Sequence, residues 1–261
     1  MKSLSIAATG MLAQQLNVEV ISNNIANMNT TAYKRQRAEF QDLIYQNLRR
    51  VGSTSSDAGT IVPTGIQIGV GVKAGSVYRI SSQGNMTPTD NTYDLAIQGE
   101  GYFRITLPSG EDAYTRAGSF QLNASGQIVT SDGYELSPAI TVPQDTRDVS
   151  INSQGQVEAF LDGQTDSTVL GQIETVRFFN QAGLEARGRN LFTETAASGA
   201  PTAATPGSIG YGTLLQGYLE TSNVDSVGEI TQLISAQRAY EMNAKVITST
   251  DEMLSVASNL R

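Results

Sequence analysis

The chain has 261 residues, no Cys, His or Trp, and 25 acidic against 17 basic side chains, for a net charge of −8. Without Cys and His there is no disulfide, no thiolate nucleophile, no Ser–His–Asp or Cys–His catalysis, and little scope for zinc or haem ligation. The acidic balance argues against a nucleic-acid partner, and 39% hydrophobic with 16% charged residues argues against disorder.

At the amino end, Ser3, Ser5, Thr9 and Gly10 interrupt the apolar residues and no cleavage site follows, so no cleaved signal peptide is expected. From Leu4 to Met28, Leu4, Met11, Val18 and Ile25 recur every seven positions, with Ala7, Gln14, Ile21 and Met28 offset by three. This predicts a helix with an a/d seam, weakened by Gln14 and Gly10 and ended by the turn formers Asn27 to Thr31. Lys34, Arg35, Arg37, Arg49 and Arg50 then form a basic segment, in which Phe40, Leu43, Ile44, Asn47 and Leu48 predict one face of a short helix. Gly52 to Gly71 reads as an extended, partly stranded linker. Its alternating Ile66, Ile68, Val70 and Val72 suit a strand laid on a neighbouring chain, with Arg49 and Arg50 at the base facing acidic surface.

From Ser81 to Leu170 three Arg meet twelve acidic residues. Leu95–Ile97 with Tyr102–Leu107, and Ser119–Leu122 with Gln127–Thr130, read as hairpins. Asn123-x-x-Gly126-Gln127-Ile128 recurs as Asn152-x-x-Gly155-Gln156-Val157, a repeated turn. Ile173 to Asn180 is read as the last strand of this body, and Thr195 to Gly212 as the loop leaving it. At the carboxy end Asp225 caps a long helix in which Leu233, Tyr240, Ile247 and Leu254 lie seven apart, alongside Ala239, Val246, Met253 and Leu260.

The pattern predicts an α+β chain: long terminal helices pairing as a coiled-coil-like stem, and a β-rich central domain. The expected organisation is a discontinuous stem of 1–33 and 222–261, a connecting stretch 34–80, an outer β domain 81–194 and a return loop 195–221. Catalysis is not expected: Glu111 with Asp112, Asp90 with Asp94, and Asp145 with Asp148 lie in no catalytic motif. The glycine loops at 65–71 and 99–101 lack the lysine and helix of a phosphate site, and Asp90, Asp94 and Glu100 lack calcium-loop spacing. No cofactor or metal is expected.

Ser22 to Lys34 (SNNIANMNTTAYK) resembles the amino-terminal signature of the bacterial flagellar rod and hook protein family, in which an Asn-rich turn closes the first helix. Asn23, Asn24, Asn27 and Asn29 are its asparagines, and Ala32 stands where the family usually has Gly. Asp94 to Phe103 and Tyr114 to Phe120 resemble the family's β-domain signatures. Gly217 to Val224 followed by Ala236 to Glu241 resembles its carboxy-terminal signature. Length, the basic segment and the stretch Tyr45 to Val72 look most like the distal rod members. The resemblance implies a helical tubular homopolymer of the basal-body rod, transmitting torque from motor to hook, and assembled in the periplasm after unfolded type III export. It also implies neighbours: proximal rod proteins, the hook protein or hook junction, and the P-ring and L-ring proteins. A nearer alternative is a proximal rod or hook subunit. On residue patterns alone, a secreted carbohydrate-active enzyme or binding module with oligomerising helices stays open. Leu4, Met11, Val18, Ile21, Ile25, Leu233, Tyr240, Ile247 and Leu254 are the residues expected at subunit contacts. Deleting Gly52 to Gly65 is expected to give rods that polymerise but bend or lose length control.

Overall fold

Helix α1 (Lys2–Ala26) and helix α2 (Ser226–Asn259) frame the chain in a computed structural model that describes residues 2–52, 64–163 and 166–259. The fold is α+β, with a β-rich centre between the two helices. The stretch Gly52 to Gly65 named for deletion lies largely outside the described residues, which resume at Thr64.

Both helix ends are set by local hydrogen bonding. After Ala26 the Asn27 carbonyl accepts the Thr30 N–H (3.1 Å) and its Oδ1 accepts the Thr30 hydroxyl (3.1 Å), a turn that takes the chain out of helical register. Ala32 follows at φ 56°, the left-handed region where Gly is ordinarily cheaper by about 1 kcal/mol or more. At the other helix, the Asp225 carboxylate accepts the Val227 N–H (3.2 Å), serving as N-cap as expected.

The chain divides into two compact units, one taking both helices with residues 36–78, the other residues 27–35 and 79–224. In the first, Gln36–Asp42 pairs with Val72–Arg79, and Tyr45–Arg49 pairs antiparallel with Ile66–Gly69. The short helix expected over 40–48 is therefore absent. Burial in Gln36–Asp42 alternates with period two, and the Leu43 N–H is held by the Gly71 carbonyl (2.9 Å), so this segment is extended. The alternation from Ile66 is likewise used inside the chain, with Ile68 opposite Gln46 and Ile66 opposite Arg49.

The second unit is built on a nine-stranded sheet among the described residues. Its path runs Glu185–Gly188, Leu191–Thr193, Asp112–Thr115, Tyr102–Thr106, Glu135–Ser137, Ile128–Thr130 and Phe120–Leu122, with Thr175–Arg177 and Thr202–Ala204 branching from Tyr102–Thr106. Thr146–Ile151, Gln156–Leu161 and Ser167–Gln172 form a separate three-stranded sheet. Leu95, Ile97, Phe103, Ile105, Phe120, Leu136, Val157 and Leu214 share the main apolar core. Tyr102, Tyr114, Val176, Phe178 and Leu184 form a second cluster, with the Tyr114 and Phe178 rings edge-to-face at 4.8 Å.

The hairpin expected from Ser119–Leu122 and Gln127–Thr130 forms, with Phe120–Leu122 paired to Ile128–Thr130. The one expected from Leu95–Ile97 and Tyr102–Leu107 does not: Leu95–Gln98 pairs with Thr213–Gln216, and Tyr102–Thr106 with Asp112–Thr115. Gly99 and Gly101, at φ 110° and 146°, swing the chain away between them. Nor is 173–180 the last strand, because Leu191–Thr193 pairs back on Asp112–Thr115 and Thr202–Ala204 on Thr175–Arg177 within the expected loop.

Candidate assembly surfaces and a buried ion cluster

The contact between α1 and α2 includes small and polar side chains. A Cβ added at Gly10 would sit 3.0 Å from Asn243 Nδ2, and Asn24 Nδ2 donates to Glu229 Oε2 at 3.1 Å. These two contacts, spaced alike along both helices, run antiparallel. On α2 the most enclosed side chains are Glu229, Ala236 and Thr250, one or two heptads apart. Asn24 also grips the Gln36 backbone in both directions, donating to its carbonyl and accepting its N–H, each at 2.8 Å.

Most of the large apolar residues of α2 face solvent instead. Val227 is 72% exposed, and Ile230, Ile234, Met242, Val246, Met253 and Val256 are exposed with it. Val227, Ile230 and Ile234 recur at helical spacing in the first turns, and Met242, Val246 and Met253 do so further on. Soluble monomers rarely leave such a stripe open.

Among the residues expected at subunit contacts, Ile21 is buried, and Leu4, Met11, Val18, Ile25, Leu233 and Ile247 are half-buried. Tyr240 and Leu254 are exposed. Val18 and Tyr240 share an open groove of about 500 Å³ with Gln15, Gln237 and Glu241. In the Asn-rich segment Asn24 is buried, Asn27 half-buried, and Asn23 and Asn29 exposed. Arg49 and Arg50 are exposed, as are Ile66 and Ile68 on one face of their strand, while Val70 is half-buried just beyond it.

Sequence reasoning missed a cluster in the second unit. The Glu220 carboxylate, with its side chain 1% exposed, accepts from Lys34 Nζ (2.5 Å), Arg116 Nε (2.5 Å) and the Gly84 N–H (2.9 Å). Lys34 also donates to the Ser82 carbonyl, and Arg116 to the carbonyls of Ile97, Gly99 and Gly101. Burial works against the carboxylate, yet Arg116, Lys34 and the Gly84 N–H together hold Glu220 below the usual carboxylate range. Burial lowers Lys34, and Glu220 only partly offsets that. The signal was present: Lys34, Arg116 and Glu220 each sit inside a different one of the quoted signature segments.

Several of the carboxylates weighed for chemistry are occupied otherwise. Glu111 pairs with Arg187 (3.1 Å), Glu100 with Arg177 (2.7 Å), and Asp94 accepts from the Thr89 hydroxyl (2.7 Å) and the Asn91 amide (2.9 Å). Beside Asp112 and Glu194, the Tyr114 phenol is pushed up to about 12, first by burial and then by those charges. Among the described residues no helix is long and apolar enough to cross a membrane.

Three family profiles match the chain. One described as a flagella basal body rod protein covers residues 4–34, a flagellar hook protein FlgE/F/G D1 domain covers 96–159, and a flagellar basal body rod FlgEFG protein C-terminal segment covers 215–260. The chain is 63% identical over its full length to the flagellar basal-body rod protein FlgG of Caulobacter vibrioides, itself covered completely. It is 53% identical to that of Agrobacterium fabrum, over 99% of this chain and 98% of the relative. To that of Bacillus subtilis it is 40% identical, over 100% and 99%. These relatives give no support to the enzyme or carbohydrate-binding reading.

Proposed function

The chain belongs to the flagellar basal-body rod protein family and is a structural subunit of the rod; on that premise we propose that it polymerises through the outward faces of α1 and α2 into the distal part of the shaft. The observation that carries this reading is the inversion on α2, where Glu229, Ala236 and Thr250 are the enclosed side chains and most of the large apolar ones are exposed. A helix pair of that kind contributes little enclosed apolar area on its own. Fully burying an exposed Ile or Val contributes at most roughly 1.5 to 3 kcal/mol, and these half-exposed side chains a fraction of that, repeated at every subunit. Leu4, Met11, Val18, Ile25, Leu233, Tyr240, Ile247 and Leu254 are assigned to this packing, with coiled-coil geometry part of the proposal, while Ile21, already buried within the chain, supports α1 from inside. The Asn23, Asn24, Asn27 and Asn29 turn sets where α1 ends.

The paired strands Tyr45–Arg49 and Ile66–Gly69 are assigned to contacts between subunits, with Ile66, Ile68 and Val70 supplying apolar surface and Arg49 and Arg50 facing acidic residues of the next copy. The proposed partners are further copies of the chain, proximal rod proteins, the hook protein or hook junction, the P-ring and L-ring proteins, and the type III export apparatus. The role is packing and torque transmission, without catalysis or a cofactor.

Negative-stain microscopy of concentrated protein tests the reading, with straight tubes as the expected result. Ile230→Asp and Ile234→Asp change exposed positions, so the monomer should keep its circular dichroism and melting temperature while tubes disappear. Tubes formed normally by both variants would remove this face of α2 from the proposal.

A further inference from the structure

Three stretches remote in sequence converge on one carboxylate in the β-rich unit. Residues 32–35, 80–86 and 217–223 contribute Lys34, the Gly84 N–H and Glu220, and Arg116 reaches in from the body. The same stretches are tied by further polar contacts. The Ala32 N–H donates to the Glu220 carbonyl (2.8 Å), the Thr221 N–H to the Asn85 carbonyl (2.8 Å) and the Arg35 N–H to Asn223 Oδ1 (2.7 Å). Asn223 Nδ2 donates to the carbonyls of Ile80 and Ser82, both at 2.9 Å. None of the three supplies a residue to either apolar cluster. Their attachment is polar, and its centre is the shared carboxylate.

We infer that Lys34, Arg116 and Glu220 form a clasp by which these three stretches dock and release together, as one cooperative element separable from the apolar core. The two buried cations depend on the one anion: removing Glu220 leaves both desolvated and unpaired, and removing either cation withdraws part of what offsets the carboxylate's burial. The chain passes between its two compact units after residues 26, 35, 78 and 224. Three of those four points lie within a few residues of the clasp. When closed, the clasp fixes on the β-rich unit the spacing at which the backbone leaves it.

Hydrogen–deuterium exchange on the full-length protein tests the inference. In Glu220→Gln the amides of Ala32, Gly84 and Thr221 are expected to lose protection together, by about tenfold or more, while those of 102–106, 112–115 and 156–161 stay protected. Lys34→Met keeps the Arg116–Glu220 pair charge-matched, and is expected to open the same three stretches by a smaller factor. It also decides the matter if Glu220→Gln does not fold. Loss of protection confined to the stretch carrying the substitution, or spread equally into the core strands in Lys34→Met, would overturn the clasp.

Discussion

At the residue scale, the buried charges dominate. Glu220 is held as a carboxylate by Arg116 and Lys34 against the cost of burial, so its folded-state pKa lies below its unfolded value. Such a group contributes stability that is fully present above the unfolded pKa of about 4.5 and is lost as pH falls through the lower folded value. Glu220→Gln should therefore cost about 3 to 5 kcal/mol at pH 7. The gap between variant and parent should narrow as pH falls below about 4.5, measured by urea unfolding across pH. A gap that is constant with pH would show that the cost is one of shape and not of charge. Gly118 illustrates a different residue constraint: a Cβ there would lie 1.6 Å from the Leu95 carbonyl oxygen, which is why the segment Tyr114 to Phe120 needs a glycine.

At the element scale, the two Asn-x-x-Gly turns are built alike. Asn123 Oδ1 accepts the N–H groups of Ser125 and Gln127, both at 2.9 Å, and Asn152 Oδ1 accepts those of Gln154 (3.0 Å) and Gln156 (2.9 Å). Gly126 and Gly155 follow at φ 77° and 84°, and each carbonyl takes an N–H from a later segment, Val142 and Ile173, at 2.7 Å. The sequence echo is thus a repeated hairpin with a repeated anchor. In the helices, Gly10 has the opposite use, close approach without a turn. Gly10→Leu gains roughly 1 kcal/mol of helix propensity but forces a side chain into Asn243, so α1 and α2 should separate. Exchange protection of both helices should fall while the β-rich unit keeps its melting transition.

At the scale of the whole molecule, strand pairing joins early residues to late ones. Leu95–Gln98 meets Thr213–Gln216, and Met86–Pro88 meets Tyr218–Glu220, so the β-rich unit closes only when its last strands arrive. The helices answer to a different requirement. Ile247 is half-buried on α2, and if the proposed packing covers it, an aspartate there places a carboxylate in that surface at a cost of several kcal/mol per subunit. Ile247→Asp should abolish swimming in a complementation assay while leaving the β-rich unit folded. Normal swimming would take this position out of the subunit contacts.

The sequence by itself determined the terminal helices, their caps, the Asn-x-x-Gly turns and the absence of histidine and cysteine chemistry, because each is written in residues close together and follows from local periodicity or turn geometry. Its signature segments also marked the family. Only the tertiary structure decided that 36–42 and 45–49 are strands, that Leu95–Gln98 pairs across more than a hundred residues, and that Glu229, Ala236 and Thr250 are the enclosed side chains of α2 while most of its Ile, Val and Met are exposed. A heptad pattern fixes which residues share a face of a helix and leaves open which partner that face meets. Nor does sequence spacing place Lys34, Arg116 and Glu220 on one another: a buried charge is recognisable only once the partners that make it tolerable have been brought together.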